Sequence, residues 1–230
     1  MKEFAYVVSR LKTAAQQTGE TCYIVGGAVR DIISLKKIKD VDTVVAINPE
    51  KFASALASTT EGATAEEVHA PFPLWSVDIS DVSVDVVGLR GKSLQEDIQH
   101  RNFTINTIYY DVVRDRFEDP TGKGFTDLYN GVINTVTPDS FVFFSSSPHE
   151  INSIFIAIRL VADSGFKLSE QLKSGIRKAL EHGLIPAELS KRSKKEILRT
   201  RLSHNFKTKA LPIIEELGLE HFYEAAAVSP

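Results

Sequence analysis

YIVGGAVRDIISLKKIKDVDTVVA, residues 23–46, reads as strand, glycine turn, helix, short basic loop and second strand. Cys22, Tyr23, Ile24 and Val25 form an apolar run that breaks at Gly26-Gly27. Two glycines let the backbone turn sharply and approach a ligand closely. Ala28, Val29, Ile32 and Ile33 then recur at helical spacing. The start of that helix would aim free N–H groups at whatever sits over the glycines, a place suited to phosphate. Asp40-Val41-Asp42 runs into the β-branched Thr43-Val44-Val45. Residues two apart on a strand share a face, so Asp40 and Asp42 point one way and Val41 points into the core. Paired hard carboxylates beside a phosphate cradle suit divalent-metal chemistry on a nucleoside triphosphate.

The same stretch resembles the GGxVRD…DxD signature of class II tRNA nucleotidyltransferases and bacterial poly(A) polymerases. Gly26, Gly27, Val29, Arg30, Asp31, Asp40 and Asp42 match it. The resemblance implies an α/β (α+β) head of the polymerase-β-like nucleotidyltransferase fold with a mixed sheet, followed by a small all-α neck. It implies Asp40 and Asp42 as catalytic metal ligands, with Gly26, Gly27 and Arg30 near the triphosphate.

At 230 residues the chain can hold one sizeable domain, or one medium and one small. The lone cysteine, Cys22, excludes an intramolecular disulfide and sits in an apolar run as a small core residue. The N-terminal stretch lacks a signal-peptide core and no run is apolar enough to span a membrane, so a cytoplasmic or organelle-matrix protein is expected. A net charge of −3 argues against a wholly basic surface but leaves room for a basic patch.

Taken in order, residues 3–17 read as an amphipathic helix with Phe4, Val7, Val8, Leu11 and Ala14 on one side. Pro49 to Ser58 reads as a helix capped by Asn48. Ala63 to Pro73 reads as an acidic loop, and Leu74 to Ile79 and Val82 to Val87 as a hairpin turning at Ser80-Asp81. A third carboxylate on this hairpin would complete a metal-binding triad. Asp78 and Asp85 alternate with apolar neighbours equally well, and spacing does not choose between them. The resemblance favours Asp85, because the family places an acidic residue shortly before an arginine, here Arg90.

GKSLQEDIQHRNFTIN, residues 91–106, is the second informative block. It resembles the family's D-L-x-R-R-D-F-T-I-N-A segment through Asp97, Arg101, Phe103, Thr104, Ile105 and Asn106. His100 and Asn102 depart from it, standing for an arginine and an aspartate. The resemblance implies that Arg101, Asn102 and Asn106 help hold the sugar and phosphates of the incoming nucleotide. Arg101 has the planar charged fork that suits phosphate. Further on, Ile108 to Val113 and Val132 to Val136 read as strands, and Asp127 as a residue that caps or orients a loop.

Ser140 to Pro148 reads as a boundary, giving a head over residues 1–145 and a basic helical neck over 146–230. Gly165 reads as a helix end; Ser169 and Ser190 read as helix caps. Ala157-Ile158-Arg159 and Gly165-Phe166 resemble the family's neck, which implies Arg159 as a further nucleotide-binding residue. The base-reading E-D-x-x-R motif is degenerate. His149-Glu150-Ile151-Asn152-Ser153 lacks its aspartate and arginine in register, leaving Glu150 or Asn152 as possible substitutes. Between residues 167 and 209, twelve lysines and arginines stand against four glutamates, a local net of +8. That asymmetry suits nucleic-acid phosphates.

These readings imply a metal-dependent transferase that adds nucleotides from ATP or CTP to an RNA 3′ end, tRNA above all. Asp40, Asp42 and Asp85 would hold two Mg²⁺ ions, and Arg101 would add positive charge at the transferred phosphoryl. The family's body and tail domains have no counterpart in these 230 residues, so a partner protein supplying RNA grip is expected. The degenerate motif, His100 and Asn102 motivate the alternative, a catalytically impaired relative serving as an RNA-binding or structural subunit.

Overall fold

In the computed structural model the described residues are 2–36, 38, 40–68 and 73–225. Two lysines of the basic loop, at 37 and 39, and the end of the acidic stretch, 69–72, lie outside them. The chain divides into two compact units, Met1–Phe125 and Thr126–Pro230.

The first unit is built on a seven-stranded mixed sheet. Its strands are β1 (Cys22–Val25), β2 (Asp40–Val45), β3 (Ala65–Val68), β4 (Leu74–Ile79), β5 (Val82–Gly88), β6 (Tyr109–Asp111) and β7 (Arg116–Glu118), in the order β3-β4-β5-β2-β1-β6-β7. Every neighbouring pair is antiparallel except β2 and β5, which run parallel. A parallel pair needs a long crossover. Here it contains α3 (Pro49–Ser58) and the strands β3 and β4. α3 starts where Asn48 Oδ1 accepts the Lys51 N–H at 2.9 Å, so the cap read from the sequence is present. The β4–β5 hairpin turns at Ser80-Asp81, with Ser80 left-handed at φ 56°.

α1 (Lys2–Thr18) buries Val7, Leu11 and Ala14 and packs against α3, which lies on β4 and β5. Phe52 and Leu56 of α3 are fully buried. Each such side chain contributes about 1.5–3 kcal/mol relative to exposure. α2 (Gly26–Ile33) follows β1 directly. Val25 and Val44 share a cluster with Tyr109 and with Leu94 and Ile98 of the segment after β5.

Ala65–Val68, read from the sequence as loop, is strand β3. It forms the sheet's edge, and Glu66 and Glu67 are exposed there, so the apolar alternation that marks a half-buried strand is missing. Ser140–Ser146, read as a boundary, is a helix whose cap is Asp139, accepting the Phe141 and Val142 N–H groups at 2.9 and 3.3 Å.

The second unit is helical. Its longer helices are Asn152–Ser164, Glu170–Glu181 and Lys191–Leu202, with Leu211–Leu217 and Glu220–Ala225 after them. Gly165 ends the first at φ 71°. Ser169 and Ser190 cap the next two, accepting the Leu172 and Ser193 N–H groups at 3.1 Å each. Val132–Ile133 is shorter than expected and pairs in parallel with Lys167–Leu168, outside the large sheet. Asn134 Nδ2 donates to Asp127 Oδ2 at 3.1 Å, consistent with a loop-orienting Asp127.

Candidate nucleotide and metal site

The parallel register of β2 and β5 assembles an acidic face. Asp42 lies beside Asp85, and Asp40 beside Ser83. Adjacent strands are about 4.8 Å apart, so the Asp42 and Asp85 side chains project as neighbours from one face. Asp78 pairs with Ser83, one strand further out and a row away from Asp42. Between the two candidates that alternation leaves open, the sheet therefore sets Asp85 next to Asp42.

Asp42 is crowded by charge. Loss of water and then the Asp85 carboxylate push its pKa up from the ordinary carboxylate value; Arg101 opposes them, Asp40 adds to them and Arg30 opposes. Asp42 nevertheless keeps a solvent-exposed side chain, so an ion or a substrate can reach it. Gly26, at φ 67°, stands against this carboxylate: a Cβ there would come within 3.3 Å of Asp42 Oδ2. Positive φ and close approach both call for glycine.

Arg30 rises from α2 over the glycine turn. A Cβ on Gly27 would lie 3.6 Å from Arg30 Nη2. Arg30 Nη1 donates to Asn106 Oδ1, and Asn106 Nδ2 donates to Asn102 Oδ1 at 2.7 Å. Asn106 ends the short helical turn Thr104–Asn106, anchored by the fully buried Phe103 and Ile105. The turn is also tied down from behind, where Thr107 Oγ1 and Thr121 Oγ1 are 3.1 Å apart.

Arg101 pairs with a buried carboxylate. Its Nε donates to Asp97 Oδ2 at 2.8 Å and its Nη2 lies 2.7 Å from the same oxygen. Tyr109 donates its hydroxyl to that oxygen at 2.6 Å, and its ring faces the guanidinium at 5.5 Å. Asp97 is wholly buried and also accepts the Arg90 N–H at 3.0 Å. Burial alone would raise the Asp97 pKa, but the Arg101 charge, the Tyr109 hydroxyl and the Arg90 N–H outweigh it and hold the carboxyl below its usual value. His100, at one of the departures from the family segment, offers its carbonyl to Arg90 Nη1 at 3.0 Å.

Of the sequence-derived site residues, the first unit brings together Gly26, Gly27, Arg30, Asp42, Asp85, Asn102 and Asn106, with Asp40 at the start of the same strand. Arg159 belongs to the second unit, where it pairs with Glu196 and, at 3.0 Å, with Asp163. The braces Asp97 and Tyr109 were not singled out as functional residues. The i,i+4 spacing of Asp97 and Arg101 in a polar segment was the available signal.

The acidic face suits a divalent cation. Its donors are hard oxygens, and a bound cation would relieve the repulsion raising Asp42. Among the described residues no group of three His, Cys, Asp or Glu side chains is arranged to hold a metal ion by itself.

Residues 22–134 match the family model of the poly A polymerase head domain. The chain is 29% identical over 229 residues to a CC-adding tRNA nucleotidyltransferase of Halalkalibacterium halodurans, covering 100% of this chain and 56% of that protein. It is 27% identical to a poly(A) polymerase I of Escherichia coli O6:H1, over 78% of this chain and 42% of that one. A solved tRNA-processing enzyme with CTP superposes with a TM-score of 0.80 at 28% identity, over 92% of this chain and 57% of that one. The chain thus spans about half the length of the curated relatives it matches. A mixed sheet, an acidic β2–β5 face and a glycine turn under Arg30 agree with the match of residues 22–134 to the poly A polymerase head domain family.

Proposed function

We propose that the chain is the head and neck part of a metal-dependent nucleotidyltransferase that adds nucleotides from ATP or CTP to the 3′ end of an RNA, tRNA foremost. The head is taken as residues 1–145 and the neck as 146–230. The observation that carries this reading is the adjacency of Asp42 and Asp85 on the face that Arg30 and Gly26 border. The relatives bearing the same head add nucleotides to tRNA or polymerise poly(A), by their names.

The adjacent Asp42 and Asp85, with Asp40 at the start of the same strand, would hold Mg²⁺ together with substrate phosphates and water; when bound, it supplies a more acidic 3′-hydroxyl and a steadied pyrophosphate leaving group. The chain's own contribution is placement and charge. Gly26 and Gly27 let the triphosphate approach the backbone, and Arg30 supplies a cationic donor beside it. Arg101, paired with Asp97, would add positive charge near Asp42 and the transferred phosphoryl. Catalysis of this kind rests on positioning and electrostatics. The test is incubation with tRNA lacking its CCA end, Mg²⁺ and each nucleoside triphosphate separately, with Asp42→Ala as control. Label incorporated equally by both proteins would end the proposal and favour a non-catalytic relative.

Base choice is expected to be weak. Ile151 and Ser153, in register with the family's base-reading pair, are buried. Asn152 is no substitute: its Oδ1 accepts Ser190 Oγ at 2.5 Å and Ser193 Oγ at 2.6 Å, and its Nδ2 donates to the His149 carbonyl at 2.8 Å. A site discriminates bases by leaving its own polar groups unpaired against the wrong one, and these groups are committed within the fold. Calorimetric titration of ATP, CTP, GTP and UTP with Mg²⁺ should give affinities within about 1–2 kcal/mol of one another. A hundredfold preference for one base would show that another residue reads it.

RNA is expected to bind through helix Lys191–Leu202. Its buried side holds Ser193, Glu196, Ile197 and Thr200, whereas Lys191, Arg192, Lys194, Lys195, Arg199 and Arg201 are exposed. Glu196, its one acidic residue, is turned in toward Arg159. Affinity for tRNA should fall steeply with salt, and replacing Arg192, Lys194 and Lys195 together by Gln should flatten that slope by about 2–3 units of log K per log salt. A slope unchanged by the triple replacement would place the RNA elsewhere. Among the described residues no helix is long and apolar enough to cross a membrane.

A further inference from the structure

The chain Asn102–Asn106–Arg30 has a direction. Asn102 Oδ1 accepts two donors, the Phe103 N–H at 2.9 Å and Asn106 Nδ2 at 2.7 Å. The first is a backbone group pinned by the wholly buried Phe103, so it fixes which end of the Asn102 amide faces inward. With an acceptor presented to it, Asn106 must turn its NH₂ toward Asn102 and its oxygen the other way. That oxygen receives Arg30 Nη1, while Arg30 Nη2 lies over Gly27. A flipped Asn106 would set its NH₂ against the guanidinium, donor facing donor. The polarity of a terminal amide is set by its network, and here the network begins at Asn102.

We infer that Asn102 is a positioning residue that, through Asn106, locks the Arg30 guanidinium over Gly27 and so sets how tightly the site holds a nucleoside triphosphate. The inference rests on the reading of the Gly26–Gly27 turn as the triphosphate site. It separates the roles of three residues that the sequence groups together: Arg30 touches the phosphates, whereas Asn102 and Asn106 act by aiming it. At this end Arg30 donates to a neutral amide and not to a carboxylate. An unaimed arginine loses several rotamers' worth of freedom on binding, which subtracts from affinity.

The test is a double-mutant cycle on the whole chain, read as the dissociation constant of ATP with Mg²⁺. Asn102→Ala should weaken binding about tenfold, the loss of one oriented charge-assisted contact. In an Arg30→Ala background the same change should have less than a twofold effect, because nothing is left to aim. Asn102→Asp keeps an oxygen for both donors and should stay within about threefold of the unmodified protein. Asn106→Leu breaks the next link and should reproduce both the loss and its disappearance without Arg30, which covers the case of a poorly folded Asn102→Ala. Equal losses with and without Arg30, or no loss in either variant, would overturn the inference and show Asn102 to be merely structural. No ATP binding by the unmodified protein would instead overturn the triphosphate site itself, and the aiming role with it.

Discussion

Replacing Asp42 by alanine is expected to cut nucleotide transfer about a thousandfold or more while leaving the thermal midpoint of the metal-free protein unchanged or raised. The two halves of this expectation have one cause. Asp42 is set among carboxylates, beside Asp85 across the parallel strand pair and two residues from Asp40. It gives nothing to the apolar core, which on β2 is built from Val41, Val44 and Val45. Removing it deletes a repulsion that burial and the Asp85 and Asp40 charges raise and that Arg101 and Arg30 only oppose. Its loss for function is of another order. A hard cation relies on anionic oxygen ligands, and deleting one forfeits several kcal/mol of transition-state stabilisation, each 1.36 kcal/mol being tenfold in rate. Asp40→Ala should behave alike. Transfer assays and thermal unfolding on the same preparations check the pair of outcomes. Undiminished transfer would refute the metal assignment, and a large fall in midpoint would make Asp42 a structural residue.

The elements closest to that site were legible because their causes are local. Two glycines, then apolar residues at helical spacing, describe β1 and α2. Alternation around Ser80-Asp81 describes the β4–β5 hairpin. Asn48, Ser169, Ser190 and Gly165 mark helix ends through contacts within four residues. The site's assembly is non-local. Alternation treats Asp78 and Asp85 alike, and only the pairing of β2 with β5, some forty residues apart, sets Asp85 beside Asp42. The relay from Asn102 to Arg30 joins segments more than seventy residues apart. Ser140–Ser146 shows a different failure. Its serines suggested a break, yet Asp139 caps it and Phe143 and Phe144 bury one side. Arg101 illustrates a third. Its charge was readable, but its partner depended on which carboxylate the fold would bury next to it.

That buried partnership underlies the largest stability effect expected here. Asp97→Ala should cost about 3–5 kcal/mol, the range for removing one member of a buried ion pair. Asp97 has no exposed surface, and Arg101 is only 12% exposed. Three donors converge on its carboxylate: Arg101, the Tyr109 hydroxyl and the Arg90 N–H. Alanine strands all three, and the guanidinium cannot lose its charge to escape. Asp97→Asn, which keeps an acceptor but no charge, should fall between the two. Replacing Asp97 and Arg101 together by leucine should recover only part of the loss: an apolar pair removes the charge's desolvation cost, but the Tyr109 hydroxyl and the Arg90 N–H still lack their acceptor. The pH dependence has a definite sign. Asp97 is held below its unfolded value, so its contribution is present above that value and is lost as pH falls through the depressed one. The unmodified protein should therefore lose stability across that acid window, and Asp97→Ala, already lacking the contribution, should lose less of it there. Urea unfolding at neutral and acid pH measures both quantities. A cost under about 1 kcal/mol would mean that solvent or another carboxylate takes over the arginine.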